Sequence, residues 1–344
     1  MKRWWTLLCW GIAMAAASGS ARADRPPAPD LPRAAAGVMR PVHTYSIVAR
    51  DSVTGELGVA VQSHWFSVGA HVAWAEAGVG AVATQSFTEV SYGPLGLSLM
   101  RAGKTAAQAL SALTTADPQR DVRQVAMVDA KGGAAVFTGA RCIAAAGDHQ
   151  GAQYSVQANL MEKDTVWNAM ARAYETTKGD LADRLLAALE AAQNEGGDIR
   201  GKQSAAILIV PGASSGRPWA DRVMDLRVED HAEPVKELRR LVDIHRAYER
   251  MDEGDRQMAA NNLPGALEAY AAAAARLPDN PEVKYWAAVT MITAGQEKEA
   301  LAYFREVFAK EPKWVEVTRR LPAAGLLPDD AALVAKIVDQ AKRK

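Results

Sequence analysis

The sequence has little cysteine, few aromatic residues and no excess charge of either sign. Two of its 344 residues are cysteine, and aromatic residues make up 6%. Forty basic residues balance forty acidic ones, so the formal net charge is zero. A balanced chain lacks the basic surface to which nucleic acids and anionic membranes are attracted. We therefore expect no nucleic acid and no membrane surface among its partners.

The sequence also lacks the spacings that hold metals, nucleotides or disulfides. Cys9 falls in the N-terminal apolar run, so a mature chain keeps only Cys142 and has no internal disulfide. The six histidines form no HExxH pattern and no cysteine-histidine pair at metal spacing. A complete dinucleotide-binding glycine loop does not occur. We predict no metal, no cofactor and a fold stabilised by its core.

Long hydrophobic runs are missing except at the N terminus. Residues 1–23 combine a basic start, an apolar run of about 14 residues and the small-residue pattern Ala21-Arg22-Ala23. The run is shorter than the roughly 20 residues that span a bilayer. The pattern predicts a signal peptide cleaved after Ala23 and an exported protein, in the periplasm or outside the cell. It predicts no membrane span once the signal is removed.

A proline-rich segment follows the predicted signal peptide. Residues 24–42 contain five prolines and no apolar periodicity, which favours a linker or a propeptide. Beyond it, a change in pattern predicts a first domain at 43–246 and a helical domain at 247–344.

The first domain alternates between groups of strands and groups of helices. Strand-like runs occupy 44–51, 56–63, 77–87, 122–130, 134–139, 154–161, 204–210 and 223–230. Helix-like runs occupy 92–103, 105–117, 166–177 and 181–193. Strands grouped in hairpins and helices grouped in pairs predict an α+β fold with helices layered over antiparallel sheets. Residues 147–149 and the stretch between Trp65 and Trp74 are predicted to be loops.

The C-terminal part carries a repeat with a period of 34 residues. Three positions recur at this spacing, namely Ala266, Tyr270 and Pro278, and then Ala300, Phe304 and Pro312. The pattern resembles tetratricopeptide repeats, in which small residues let paired helices approach and proline ends the second helix. The resemblance covers 247–314 and implies a protein or peptide partner. Because two repeats bury little core, we expect the helix from Pro234 and a helix at 331–342 to cap them.

Seven segments of the first domain, taken in order, carry a family resemblance. They read HTYSIVARDSVTGELGVAVQS, AGVGAVATQS, YGPLGLSLMRAG, RQVAMVDAKGGAAVFTG, VQANLM, GKQSAAILIV and VMDLRVEDH. They resemble the family called domain of unknown function 1028, over the range from His43 to about His245. Members of that family are grouped by fold with the N-terminal nucleophile hydrolases. The resemblance therefore implies an α+β four-layer αββα sandwich.

The resemblance also implies a mechanism. In N-terminal nucleophile hydrolases, the first residue of the mature chain attacks an amide carbonyl, and its own free α-amine takes the proton. Thr44 stands at the matching place, and Ser46 projects from the same face of the strand. The mechanism requires a cut between His43 and Thr44, because a nitrogen in a peptide bond is not a base. Without that cut, Thr44 is an ordinary strand residue.

Polar residues recur where the predicted apolar strands end. They are Gln62, Ser63, Gln85, Asn159 and Ser204. Buried amides and hydroxyls need partners, so these residues form either a substrate and oxyanion pocket or a set of satisfied turn caps. One hypothesis is an exported hydrolase that acts on a linear amide or a small amide-bearing molecule. The other is a non-catalytic ligand-binding or scaffold protein, and both use the repeats to bind a partner.

Overall fold

The computed structural model describes residues 44–343 of the chain. The predicted signal peptide, the predicted linker or propeptide at 24–42, and His43 lie outside this range. Among the helices within it, none combines the length and the apolar character needed to cross a membrane.

Ten strands in the described residues form two antiparallel sheets. The strands are β1 (Thr44–Arg50), β2 (Leu57–Ser63), β3 (Ala73–Glu76), β4 (Gly80–Ser86), β5 (Arg123–Asp129), β6 (Ala134–Thr138), β7 (Gly147–Gly151), β8 (Tyr154–Ala158), β9 (Ser204–Val210) and β10 (Met224–Val228). One sheet has six strands in the order β10-β9-β2-β1-β8-β7, and the other has four in the order β3-β4-β5-β6. The predicted combination of helices with antiparallel sheets is confirmed.

Eleven α-helices occur in the same range. They are α1 (Gly69–Val72), α2 (Tyr92–Arg101), α3 (Ala106–Ala116), α4 (Val166–Thr176), α5 (Leu181–Asn194), α6 (Pro234–Ala259), α7 (Leu263–Arg276), α8 (Pro281–Thr293), α9 (Glu297–Lys310), α10 (Trp314–Arg320) and α11 (Ala331–Val338). Short 3-10 helices lie at Arg120–Val122, Pro322–Ala324 and Asp339–Lys342. The local sequence explains where two of these helices begin. Thr105 and Gln108 form a capping box at the N terminus of α3, and Pro234 is the first residue of α6.

The β1-β2 hairpin shows how the sequence sets the register of the six-stranded sheet. The side chain of Asp51 accepts hydrogen bonds from the backbone N–H groups of Val53 and Thr54, at 2.7 and 2.8 Å. Gly55 adopts a φ of 77°, a left-handed conformation that favours glycine. The turn pairs Val48 with Val59 and so puts both valines on the same face of the sheet.

Alternation along the strands separates two apolar layers. Val48, Val59 and Ala126 belong to a core between the two sheets. Ile47 and Ala60 point the other way, into a core shared with α4 and α5. Helices α2 and α3 cover the outer face of the four-stranded sheet in a third core. Two sheets thus face each other, with helices on both outer faces.

Two strands were not predicted. β3 begins where the loop expected between Trp65 and Trp74 ends, whereas β7 falls in the segment 147–149 that was predicted to be a loop, so that prediction was wrong. β3 is an edge strand that contains Trp74, whose indole Nε1 donates to the carbonyl of His71 at 3.0 Å. β7 is the edge strand next to β8 and spells GDHQG. It has no apolar alternation, so backbone pairing with β8, and not a buried face, makes it a strand.

α6 runs from the sheets into the repeats without a break. It spans 26 residues, and its N-terminal half packs on β9 and β10 while its C-terminal half packs on α7. The boundary expected between residues 246 and 247 therefore falls inside one helix. Arg239 and Arg246 of α6 form ion pairs with Asp183 of α5, at 3.1 Å each.

The helices after α6 pack as the period of 34 predicts. Gly254 lies so close to Tyr270 that a Cβ placed on it would come within 2.8 Å of the ring. One repeat later, Ala288 and Phe304 are fully buried in one cluster. Ile337 of α11 is buried in that cluster too, which agrees with the predicted C-terminal cap. The helical region matches the repeat resemblance.

Candidate functional site

Both candidate catalytic residues lie at the start of β1. Thr44 and Ser46 alternate with Tyr45 and Ile47, which face the helices, so both point into the layer between the sheets. Both are fully buried. Any chemistry at this place would occur at the rim of the inter-sheet layer.

A chain of hydrogen bonds surrounds Ser46. Its hydroxyl donates to Oε1 of Gln85 at 2.6 Å and accepts from Nε2 of Gln157, also at 2.6 Å. Gln85 belongs to β4 of the opposite sheet, whereas Gln157 belongs to the neighbouring strand β8. Ser46 therefore ties the two sheets together, and its hydroxyl is used on both its donor and acceptor sides.

The same network continues through Gln124 of β5. Its Oε1 accepts from Nε2 of Gln85 at 2.7 Å and from Nδ2 of Asn159 at 2.8 Å. Its own Nε2 donates to the carbonyl of Ala158 at 3.0 Å and to Oγ1 of Thr138 at 2.9 Å. A fully buried glutamine with all these partners cross-links the sheets.

Thr44 joins this network through its backbone. Its carbonyl accepts from the backbone N–H of Asn159 at 3.1 Å and from Nε2 of Gln85 at 3.2 Å. Ser63 lies opposite Thr44 across the β1-β2 ladder. The start of β1 is thus held between two strands and one side chain of the facing sheet.

The structure brings together some of the predicted polar residues but not all five. Gln85 and Asn159 share the inter-sheet network, and Ser63 lies beside Thr44. Ser204 lies opposite Ser63 in the β2-β9 ladder, but its hydroxyl holds the loop after β2, because it accepts from the N–H of Val68 at 3.1 Å. Ser204 acts as the predicted turn cap.

Gln62 does not belong to the group. It alternates with Val61 and Ser63, so it faces the helices on the other side of the six-stranded sheet. It is fully buried, and neither Oε1 nor Nε2 has a hydrogen-bond partner among residues 44–343. The prediction that Gln62 lies with the other four is wrong, because a shift of one residue changes the face.

Sequence reasoning missed Gln124 and Gln157, which are central to the network. Gln124 is the second residue of β5 and Gln157 the next-to-last residue of β8, but both fell inside longer predicted runs. The available signal was a polar residue at an inward position of an otherwise apolar run. Buried strand residues of this kind need partners on the facing sheet.

Cys142 has the chemistry of a packed thiol. Burial raises the pKa of the thiol. The thiol is therefore protonated near neutral pH. Its Sγ donates to the carbonyl of Arg123 at 3.3 Å.

An open, mostly apolar groove of about 620 Å³ lies between helices of the repeat region. α6 contributes Tyr248, Met251, Asp252, Asp255 and Met258; α7 contributes Tyr270; α8 contributes Glu282, Trp286, Val289, Thr290 and Thr293; Gly325 and Leu326 complete it. Leu326 is 49% exposed, which leaves its side chain available at the groove. We call this surface the repeat groove.

Three carboxylates line the repeat groove. Glu282 accepts from the hydroxyl of Tyr248 at 2.7 Å, and Asp255 accepts from the hydroxyl of Tyr270. The third is Asp252, which is exposed. Among the described residues, none of the three forms an ion pair, and no lysine, arginine or histidine lines the groove. The groove is therefore apolar and acidic.

No group of three or more histidine, cysteine, aspartate or glutamate side chains in the described range could hold a metal ion.

Comparisons with known proteins agree with both halves of the fold. Residues 257–319 match a tetratricopeptide repeat model. The crystal structure of protein SPO2555 from Silicibacter pomeroyi, a DUF1028 protein, is similar with a TM-score of 0.52 and 30% sequence identity. The match covers 58% of this chain and 84% of that chain. No curated protein matches the chain in sequence. Residues 44–238 match the model of a family of unknown function, DUF1028, and the chain belongs to this family.

Proposed function

We propose that this protein is a non-catalytic scaffold whose repeat groove binds a protein partner. The observation that carries the proposal is the repeat groove itself, with a volume of about 620 Å³ and an exposed Leu326. Pockets of this size that combine apolar walls with a few polar groups are typical binding sites. Tetratricopeptide helices commonly present such concave surfaces to proteins.

The hydrogen bonds in the layer between the two sheets support a structural role for the DUF1028 domain. The hydroxyl of Ser46 and the amides of Gln85 and Gln124 each bond to other residues of the layer. Satisfied buried networks give rigidity and specificity to a core. The domain then serves as a stable base for α6 and the repeats.

Export is part of the proposal. Residues 1–23 have the pattern of a signal peptide, with the small-residue motif before Asp24. The periplasm is the favoured destination, and the partner would be a protein of that compartment.

Site-specific photo-crosslinking in intact cells tests partner binding. A photoreactive amino acid replaces Leu326 in the groove or, as a matched control, Val53 in the β1-β2 turn, which is 91% exposed. We expect a defined adduct from position 326 that disappears with the additional substitution Trp286→Ala. The same adducts from both positions would contradict the proposal.

Amide hydrolysis by Thr44 is a second candidate function. The supporting observation is that Thr44 begins β1 and faces the layer between the two sheets. This is the place of the nucleophile in a four-layer N-terminal nucleophile hydrolase. A small amide or peptide would then be the substrate, with Asn159 and Ser63 close to the reacting carbonyl.

Two substitutions at Thr44 test the second candidate. Self-processing needs a hydroxyl, so Thr44→Ser would still be cut before residue 44, whereas Thr44→Val, which keeps the shape, would not. The intact masses of the two purified variants provide the comparison. The same cleavage state in both variants would count against a nucleophilic Thr44.

A further inference from the structure

We infer that the partner segment bound in the repeat groove is cationic, with lysine or arginine next to an apolar residue. This inference rests on the proposed docking function and specifies the chemistry of the partner. It follows from the combination of an open apolar cavity with unneutralised negative charge. Neither feature alone would specify the partner.

The apolar side chains that line the groove are the reason to expect an apolar residue in the partner segment. Met251 and Val289 form buried walls, while Trp286 is half-buried and Leu326 is exposed. An aliphatic side chain inserted here would lose contact with water and contact Leu326 and the indole of Trp286. Aromatic anchors of this kind contribute a large share of the binding energy at interfaces.

The carboxylates account for the positive charge. Tyrosine hydroxyls hold Glu282 and Asp255 in place, so little side-chain freedom would be lost when a cation binds to them. The hydrogen bond to Glu282 also raises the pKa of Tyr248, because loss of the tyrosine proton beside a carboxylate is unfavourable. Tyr248 therefore stays a donor at neutral pH and keeps Glu282 an acceptor.

The indole of Trp286 adds a second preference for a cation. An ammonium or guanidinium group is attracted to the face of an aromatic ring, most strongly to that of tryptophan. An acidic segment, by contrast, would meet three carboxylates at close range in a partly dry groove. Like-charge contacts of this type select strongly against a partner.

The repeat groove differs from a second charged cleft beside α6 and α7. That cleft is lined by both signs of charge, including Arg250, Glu253 and Arg276, and contains few apolar groups. Its arginines and carboxylates can neutralise each other. The charged side chains that line the repeat groove are all negative, so the groove favours a cationic segment over an acidic one.

Fluorescence anisotropy with the full chain tests the inference. The probe is a short fluorescein-labelled peptide in which lysine alternates with leucine, and its two controls carry glutamate or serine in place of lysine. We expect the lysine peptide to bind at least about fivefold more tightly than the serine peptide at about 50 mM salt, with a smaller ratio at about 300 mM. The glutamate peptide should bind most weakly.

Matched variants assign the charge preference to the groove. The double substitution Asp252→Asn and Glu282→Gln should remove most of the lysine preference, since both replacements keep the side-chain shape. The control is Glu268→Gln with Glu299→Gln, which changes the net charge equally at exposed positions outside the groove. It should leave the preference intact.

The outcomes separate the inference from the docking proposal. If Leu326→Ser weakens all three peptides equally and lysine gives no advantage, docking stands and the cationic partner is overturned. If Leu326→Ser changes the affinity for none of the peptides, or if no peptide binds with a Kd below about 1 mM, the groove is not the docking surface. The docking proposal and the inference are then both wrong. Preference for the glutamate peptide would also overturn the inference.

Discussion

At the scale of residues, two buried glutamines show that the same side chain can stabilise or destabilise the fold, depending on its hydrogen-bond partners. Gln85 and Gln62 are both fully buried. Gln85 bonds to Ser46, Gln124 and backbone carbonyls, whereas Gln62 has no hydrogen-bond partner among the described residues. A buried amide stabilises a fold only when its polar atoms are satisfied.

This contrast predicts opposite results for the same substitution. Gln85→Leu removes one hydrogen-bond partner from Ser46 and one from Gln124 and should lower the free energy of unfolding by about 3 kcal/mol. Gln62→Leu removes an unsatisfied amide and should be neutral or stabilising. Urea unfolding of both variants measures the difference. A similar loss for Gln62→Leu would mean that its amide is hydrogen-bonded.

A buried ion pair adds a dependence on pH. Burial alone would raise the pKa of Asp117, but hydrogen bonds from the backbone of Gln119 and from Arg123 outweigh it and lower the pKa. A carboxyl with a lowered folded-state pKa stabilises the fold above its unfolded-state pKa of about 4. The contribution is lost as the pH falls through the lower folded-state value.

Asp117→Asn should therefore be less stable at neutral pH and less sensitive to acid. Arg123, which is 4% exposed, loses the carboxylate of Asp117 as its ion-pair partner. This loss should lower the free energy of unfolding by about 3 kcal/mol at pH 7. Between about pH 4 and pH 2 the wild-type chain should lose more stability than the variant. Urea midpoints at several pH values test this, with Asp121→Asn as an exposed control that should have little effect. Equal acid sensitivity in the wild type and in Asp117→Asn would contradict the account.

At the scale of elements, close helix packing in the repeats depends on small residues. Gly254 of α6 lies against the ring of Tyr270 of α7, and Tyr270 also donates a hydrogen bond to Asp255. α6 and α7 approach closely because glycine has no side chain. The lining of the repeat groove depends on this contact, since Asp255 and Tyr270 are both part of it.

Gly254→Ala should destabilise the repeats by about 2 kcal/mol, because the new methyl group would overlap the Tyr270 ring. The control is the same change in a Tyr270→Leu background, where the ring is absent. There it should be neutral or slightly stabilising, since alanine favours helix over glycine. Thermal unfolding by circular dichroism gives both differences. An equal loss in the two backgrounds would exclude the ring as the cause.

The elements that could be predicted are those with a buried apolar face or a clear turn signal. The β1-β2 hairpin, the pair α2 and α3, and the repeat helices all follow from periodicity and capping residues. β3 and β7 could not be predicted in this way, since each is a short edge strand that depends on its neighbour for pairing. Tertiary context, and not local pattern, creates such strands.

The candidate site could be predicted only in part for a related reason. Strand ends identified Gln85 and Asn159, but the face of each residue follows from register, which places Gln62 on the opposite side. Gln124 and Gln157 fell inside longer predicted runs, and their roles depend on the strands and the sheet packed around them. The period of 34 located the repeats, but their acidic groove is a property of the packed helices.

At the scale of the whole molecule, α6 is the element that the two parts share. Leu238 and Val242 are buried in the core beneath the six-stranded sheet, and Met251 is buried in the repeat core. Because α6 is continuous, unfolding of either core would disrupt the helix that packs in the other core. We therefore expect residues 44–343 to unfold as one cooperative unit.

Asp243→Pro tests this coupling, because proline breaks α6 between its two cores. The substitution should cost about 3 kcal/mol or more and split the single unfolding transition into two. Asp243→Ala, at the same partly exposed position, should keep one transition. Thermal unfolding followed by calorimetry distinguishes the cases, and two transitions in the wild-type chain would contradict a shared helix.

The central claim assigns partner binding to the repeat groove and a structural role to Thr44. The most direct test is the intact mass and N-terminal sequence of the mature protein recovered from the envelope of an expressing bacterium. The account predicts a chain that begins at Asp24, in which the nitrogen of Thr44 remains in a peptide bond. A chain that begins at Thr44 would contradict it and favour the hydrolase.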